Sequence, residues 1–128
     1  MRKYKIIIFG RKDCDKCKAI NHKVDELIKL DKFKSFEKEY IDVMSEDGLV
    51  MFCDFECLNA QRIPSLVVLK SEKGDQFQPI DNNDFDKNEL CKGFMTYQHL
   101  GLQTDYSIND GKITSKMIES ILDTAIAK

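Results

Sequence analysis

The chain has 128 residues, enough for about one compact domain whose core forms without disulfide or metal staples. Charged residues make up 33% and hydrophobic residues 42%, a balance that excludes collagen-like and fully disordered classes. The net charge is −2, and no run approaches the roughly 18 apolar residues that a membrane span needs.

The chain opens with a predicted buried strand followed by an amphipathic helix. Residues 4–9 are mostly β-branched or aromatic, which is typical of a strand buried on both faces. The helix is indicated by apolar residues at helical spacing, namely Ile20, Val24, Leu27 and Ile28. Because the apolar run of the strand is too short for the core of a signal peptide, we expect a cytoplasmic protein.

The later elements complete an α/β pattern. We predict a strand over 39–43, a helix from Ser45 to about residue 58, a strand over 65–69, a hairpin partner over 76–80 and a last helix beginning at Thr114 or Ser115. The order β-α-β-α-β-β-α predicts one α/β domain over residues 1–128. It would contain a four-stranded mixed sheet with helices on both faces.

Residues 81–111 form an insertion between the last predicted strand and the last helix. A structureless loop of about thirty residues is unusual in a compact domain. Leu90, Phe94 and Tyr97 favour an inserted helix. We expect this helical or loop insertion to cover part of the sheet edge or of the functional site.

Positive charge is concentrated in residues 1–34, which carry eleven Lys or Arg and five Asp or Glu. A basic surface can bind nucleic acid, but this segment lacks the interleaved arginine and aromatic residues of RNA-binding modules. Lysines are mostly solvated surface residues. We therefore expect neither nucleic acid nor membrane as a partner.

Five cysteines in a chain with no secretion signal indicate redox or metal chemistry rather than a disulfide framework. Cys14 and Cys17 form a C-x-x-C motif between the first strand and the first helix. At a helix N-terminus, unpaired amides and the helix dipole favour an anion, and a thiolate is such an anion. We expect Cys14 to attack a substrate disulfide and Cys17 to resolve the mixed disulfide. A C-x-x-C that only packs or holds zinc remains the alternative.

The charges around the motif favour the thiolate slightly. Three basic residues and two acidic ones flank the cysteines: Arg11, Lys12 and Lys16, against Asp13 and Asp15. We therefore predict a modestly lowered pKa for the Cys14 thiol.

Two segments resemble the thioredoxin/glutaredoxin superfamily. Residues 9–17 match the family's strand, loop and C-x-x-C, and residues 62–68 resemble the segment that begins the third strand, where the proline is cis. The direct start with the active-site strand is similar to glutaredoxins. The resemblance implies a thioredoxin-like fold and an Ile63–Pro64 cis bond facing the cysteines, with the Ile63 backbone pairing with an extended substrate. It also implies that Arg11 holds a glutathione carboxylate, whereas Arg62-Ile63 replaces the Thr-Val of glutaredoxins.

The other cysteines leave several interpretations open. On a helix, Cys53 and Cys57 would have Cβ atoms about 5–6 Å apart, too far for a disulfide, which needs about 3.8 Å. Three interpretations remain for this pair: buried structural residues, a regulatory second thiol pair, or metal ligands together with Cys14 and Cys17. Cys91 is interpreted as a residue of the core or of the inserted helix, and neither histidine has a spacing partner for catalysis.

The leading hypothesis is a monomeric cytoplasmic thiol-disulfide oxidoreductase that reduces protein or glutathione mixed disulfides through Cys14 and Cys17. Arg11, Lys16, Ile63 and Pro64 would bind the substrate. We expect no bound cofactor, and glutathione or a reductase would supply the electrons. The alternative is a non-catalytic thioredoxin-fold module that binds metal or senses redox state through Cys14, Cys17, Cys53 and Cys57.

Overall fold

The computed structural model describes residues 2–55, 62–81, 90–91, 93–96 and 98–128. Its strands are β1 (Lys3–Gly10), β2 (Phe36–Asp42), β3 (Ser65–Ser71), β4 (Gln78–Pro79) and β5 (Gly101–Gln103). Its α-helices are α1 (Asp15–Leu27), α2 (Glu46–Asp54) and α3 (Ser115–Ala127). None of these helices is long and apolar enough to cross a membrane.

The strands form one mixed sheet in the order β2-β1-β3-β4. β1 runs parallel to β2 and antiparallel to β3, while α1 makes the crossover between β1 and β2. The predicted four-stranded mixed sheet is confirmed, and a fifth strand that the sequence did not reveal joins it. This β5 pairs with the first half of β3, and β4 pairs with the second half on the same edge.

The side chains of β1 alternate between two cores, so helices cover both faces of the sheet, as predicted. Ile6 and Ile8 are fully buried and pack in one cluster with residues of α1 and α3. Ile7 and Phe9 point to the other face, where they pack with Phe52 of α2. This burial on both faces explains the almost continuous apolar run of β1.

Side-chain caps fix the start of each α-helix. Ser45 Oγ accepts a hydrogen bond from the Gly48 N–H at 3.0 Å, and Thr114 Oγ1 accepts one from the Met117 N–H at 3.2 Å. Both starts agree with the sequence prediction. The predicted end of α2 near residue 58 was wrong, because the helix ends at Asp54, and its Leu49 is 50% exposed although the segment is apolar.

The described part of the insertion contains no α-helix, so the predicted helix is replaced there by a short β-ribbon. The Gln103 N–H donates to the Phe94 carbonyl at 2.6 Å, and the Thr96 N–H donates to the Gly101 carbonyl at 3.2 Å. Phe94 is buried, whereas Leu90 is exposed, and Tyr97 lies outside the described residues. The segment nevertheless covers the edge of β3, as expected. Gly101 permits this pairing because a side chain there would collide with the Leu66 carbonyl.

Candidate active site

The two cysteines of the C-x-x-C motif lie at the junction of β1 and α1 and are joined by a disulfide bond, with their Cα atoms 5.2 Å apart. Cys14 is the N-cap residue of α1, and its Sγ accepts a hydrogen bond from the Cys17 N–H at 3.1 Å. Cys14 is half-buried, whereas Cys17 is fully buried. Only Cys14 is therefore open to attack from solvent, and its sulfur faces the amide end of a helix, which favours a thiolate after reduction.

Gly10 lets Cys17 pack against the end of β1. A Cβ atom on Gly10 would lie 2.8 Å from Cys17 Cβ and 2.9 Å from Cys17 Sγ, and it would also collide with the Tyr40 hydroxyl. Tyr40 in turn donates a hydrogen bond to the Arg11 carbonyl at 2.9 Å. Burial, followed by the charge of Asp42, raises the pKa of Tyr40 above its ordinary value, so the phenol remains a donor. Gly10 and Tyr40 position the motif, and neither was predicted from the sequence as a site residue.

The charged residues predicted to surround Cys14 are present at the site. Arg11, Lys12 and Asp13 are exposed, and within the described residues none of them forms an ion pair. Lys16 is half-buried, and its Nζ lies 5.5 Å from the centre of the Tyr106 ring. The lowered pKa expected for the reduced Cys14 thiol stays a prediction.

Ile63 and Pro64 lie beside the motif. Ser65, the next residue, pairs with Phe9 in the β1–β3 ladder, which places the 63–64 peptide next to Gly10 and the C-x-x-C turn. That peptide bond is cis, as the resemblance implies. Pro64 and Lys16 line the same cavity of about 400 Å³.

A β-α-β unit, an antiparallel third strand, a C-x-x-C at the first helix and a cis-proline opposite it are now all in place. The fold is thioredoxin-like. In this thioredoxin-like fold, the structure brings together the predicted residues Cys14, Cys17, Lys16 and Pro64, with Arg11 and Ile63 lining a neighbouring cavity.

The insertion holds the 62–64 segment at each of its three residues. The Arg62 guanidinium donates to the Thr104 and Gly93 carbonyls, both at 2.7 Å. The Thr104 N–H donates to the Pro64 carbonyl at 3.1 Å, and the Tyr106 hydroxyl donates to the Ile63 carbonyl at 2.6 Å. Neither Arg62 nor Tyr106 was among the residues predicted to form the site. The only local signal was the turn chemistry of Asp105-Tyr106-Ser107, which does not reveal a partner forty residues away.

A second cavity, of about 440 Å³, lies on the α2 side of the site. Its lining is mainly apolar and consists of Arg11, Val43, Met44, Leu49, Phe52, Ile63 and Tyr106. Met44 is 75% exposed, so apolar surface is open to solvent next to the motif. Exposed apolar surface of this kind often marks a place where another molecule binds.

The remaining described cysteines are not part of the dithiol centre. Cys53 is exposed on α2, which contradicts its interpretation as a buried structural residue, and Cys57 lies outside the described residues. Cys91 is buried, its Sγ donates to the Met117 carbonyl at 3.6 Å, and burial raises its pKa to about 11. Across the described ranges, no three potential ligands are grouped closely enough to hold a metal ion.

No family model and no curated protein matches the chain. Among solved structures, it is similar to the crystal structure of G4, described as the poxviral disulfide oxidoreductase essential for cytoplasmic disulfide bond formation. The identity is 15% and the TM-score is 0.45, over 94% of this chain and 92% of that one. At this level of likeness the neighbour carries no argument about function, so the functional conclusion depends on the geometry of the site.

Proposed function

We propose that this protein is a thiol-disulfide oxidoreductase that reduces disulfides through Cys14 and Cys17. The observation that carries the proposal is the position of the Cys14 sulfur. This sulfur caps α1 and accepts a hydrogen bond from the Cys17 N–H. It is bonded to the Cys17 sulfur, which solvent does not reach. This arrangement separates an accessible nucleophile from a protected resolving thiol, which is what two-step disulfide exchange needs.

In the reduced protein, the Cys14 thiolate attacks one sulfur of a substrate disulfide. The substrate S–S bond breaks, a Cys14–substrate disulfide forms, and the leaving thiolate takes a proton from solvent. The Cys17 thiol then loses its proton and attacks Cys14 Sγ, which releases the second substrate thiol and forms the Cys14–Cys17 disulfide. Two electrons pass from protein to substrate, and an external dithiol or glutathione must return them.

The residues around the cysteines support particular roles in this cycle. The Cys17 N–H and the nearby cations Arg11 and Lys16 stabilise the Cys14 thiolate. The cavity beside Ile63 supports a protein disulfide as the substrate. Arg11 is exposed at the same place and is available to a glutathione carboxylate. We infer a cytoplasmic setting, where reduced thiols persist and electrons can be resupplied.

The test is reduction of insulin by dithiothreitol, followed by the turbidity of the released B chain. We expect the wild-type protein to accelerate the reaction and Cys14→Ser to return the rate to that of dithiothreitol alone. Cys53→Ser is the matched control, because it removes an exposed cysteine outside the dithiol, and it should retain the rate within about twofold. Equal rates for wild type and Cys14→Ser would refute the proposal.

The alternative function, a module that binds metal through its cysteines, has no support from the described residues. Cys14 and Cys17 are bonded to each other, and no third ligand accompanies them within the described part of the chain. Zinc and iron analysis of freshly purified protein would reveal a site that includes Cys57. Stoichiometric metal that disappears in a Cys53→Ser/Cys57→Ser variant would replace the oxidoreductase proposal.

A further inference from the structure

Tyr106 crosses from the insertion to the segment beside the cysteines. Its hydroxyl donates to the Ile63 carbonyl at 2.6 Å, while its side chain stays 51% exposed. The Lys16 ammonium, inside the C-x-x-C motif, lies 5.5 Å from the centre of the ring. One aromatic side chain therefore connects the turn that holds the cysteines with the segment that faces them.

The Ile63 carbonyl is an acceptor that an extended polypeptide could use. The 62–64 segment lies next to the C-x-x-C turn, so a peptide bound through Cys14 would run beside it. Main-chain pairing with an exposed backbone group is a general way to hold such a peptide. In the structure the phenol already occupies one of the two acceptor positions of this carbonyl. Because Tyr106 and Ile63 line the same cavity, a backbone N–H that arrives through that cavity must compete with the Tyr106 hydroxyl.

The phenol can leave without releasing the rest of the segment. The Pro64 carbonyl is bound by the Thr104 N–H, and the Arg62 guanidinium is bound to Thr104 and Gly93, so neither interaction involves the tyrosine ring. Tyr106 also lines the apolar cavity that reaches Ile63. Movement of one half-exposed side chain would thus expose the carbonyl and widen the same cavity.

We propose that Tyr106 is a specificity-determining residue that an extended polypeptide must displace from Ile63, whereas a small disulfide reaches Cys14 without displacing it. This proposal depends on the proposed function, because it assigns a substrate class to the same sulfur. The phenol acts as an internal substitute for the backbone N–H of the substrate. It weakens binding of protein disulfides in general and selects those that gain enough contacts to replace it.

The experiment compares Tyr106→Phe with the wild-type protein on insulin and on 2-hydroxyethyl disulfide, under steady-state conditions with dithiothreitol as reductant. The substitution keeps the ring and removes only the competing hydrogen bond. We expect the KM for insulin to fall roughly fivefold, the kcat to stay unchanged, and kcat/KM for the small disulfide to remain within about twofold.

Tyr4→Phe is the matched control, because Tyr4 loses the same hydroxyl at the opposite end of β1 and should change neither KM. Tyr106→Ala, which also removes the ring, should lower the KM for insulin at least as far as Tyr106→Phe does. An unchanged or raised KM for insulin in Tyr106→Phe, or equal changes for both substrates, would overturn the proposal.

The outcomes also separate this proposal from the proposed function. If the wild-type protein reduces neither substrate in a Cys14-dependent way, the oxidoreductase assignment fails. The role of Tyr106 can then still be read from binding of an extended, disulfide-free insulin B-chain peptide to the Cys14→Ser/Cys17→Ser protein. There, Tyr106→Phe should lower the Kd roughly fivefold, and an unchanged Kd would overturn the proposal.

Discussion

The turn at residues 10–17 and the segment at residues 62–64 meet at the site but are held in different ways. The cysteine turn is held by the Cys17 N–H bond to Cys14 three residues earlier, and by β2 through the bond of the Tyr40 hydroxyl to the Arg11 carbonyl. The 62–64 segment is held from far along the chain, by Gly93 at a separation of 31 residues and Thr104 at 42. The cysteine half of the site thus depends on its own capping bond and on β2, whereas the 62–64 half depends on the insertion.

The largest effect is expected from Gly10→Ala, which disturbs the packing of the cysteine turn. The added methyl group would overlap Cys17 Cβ and Sγ, at 2.8 and 2.9 Å, so the buried thiol must move. Overpacking of this kind costs about 1–3 kcal/mol, and we expect the free energy of unfolding to fall near the upper end of that range. Urea denaturation of the reduced proteins measures it.

A double-mutant cycle with Cys17→Ala is the control for Gly10→Ala, because it removes Cys17 Sγ, one of the three atoms that the added methyl group would meet. The loss caused by Gly10→Ala should be smaller in the Cys17→Ala background by about 1 kcal/mol. If the two losses are equal, the crowding does not involve the thiol and the packing argument for Gly10 fails.

Arg62→Ala should have the next largest effect, on the half held by the insertion. It removes two short charge-assisted hydrogen bonds, to the Thr104 and Gly93 carbonyls, and a longer one to the Gln103 carbonyl. We expect the free energy of local opening of the insertion to fall by about 2 kcal/mol. Hydrogen exchange should accelerate in residues 93–106 and remain unchanged in β1. Arg62→Lys should restore little, since a single ammonium cannot span both carbonyls as the guanidinium does.

Arg2→Ala is the matched control for the loss of an arginine. Its guanidinium is exposed and interacts with Glu72 and the Tyr4 side chain, so the free energy of unfolding should change far less than in Arg62→Ala. Faster exchange throughout β1 in Arg62→Ala would show that the two halves are not held independently.

At neutral pH the smallest effect is expected from Cys91, the buried thiol within the insertion, because its ionisation matters only in alkali. Burial raises the pKa of Cys91 to about 11, while in the unfolded chain it titrates near its ordinary value. Between these values the unfolded state binds fewer protons than the folded state, so stability should fall as the pH rises from about 9 towards 11. Below about pH 9 the contribution is constant.

Denaturation of wild type and Cys91→Ala at several pH values isolates this contribution of the thiol. The stability of Cys91→Ala should decline less steeply above about pH 9, whatever its absolute value. Parallel pH profiles would show that the thiol does not report on the packing of this region.

The same contrast explains what the sequence could reveal. The buried run of β1, the start of α1 at Cys14 and the caps Ser45 and Thr114 are local patterns, and the structure has each of them where it was predicted. Local patterns suffice there because strand burial, helix period and capping act within a few residues.

Residues that act across long separations escaped prediction. β5 has only three residues, too few for a periodic signal, and it pairs with a strand more than thirty residues earlier. The Tyr106 contact with Ile63 spans 43 residues and has no counterpart in any short motif. In α2, apolar residues occur on nearly every side of the helix, so the pattern does not indicate which face is buried. The exposure of Leu49 could therefore not be predicted.

Trapping the mixed disulfide between Cys14 and a substrate shows most directly whether Cys14 is the attacking thiolate. Reduced Cys17→Ser protein is mixed with an excess of oxidised peptide disulfide at about pH 7, and intact mass and peptide mapping locate the adduct. We expect rapid formation of one adduct on Cys14, well ahead of the exposed Cys53, because the α1 amides stabilise the Cys14 thiolate. Modification of Cys53 at an equal or greater rate would contradict this expectation.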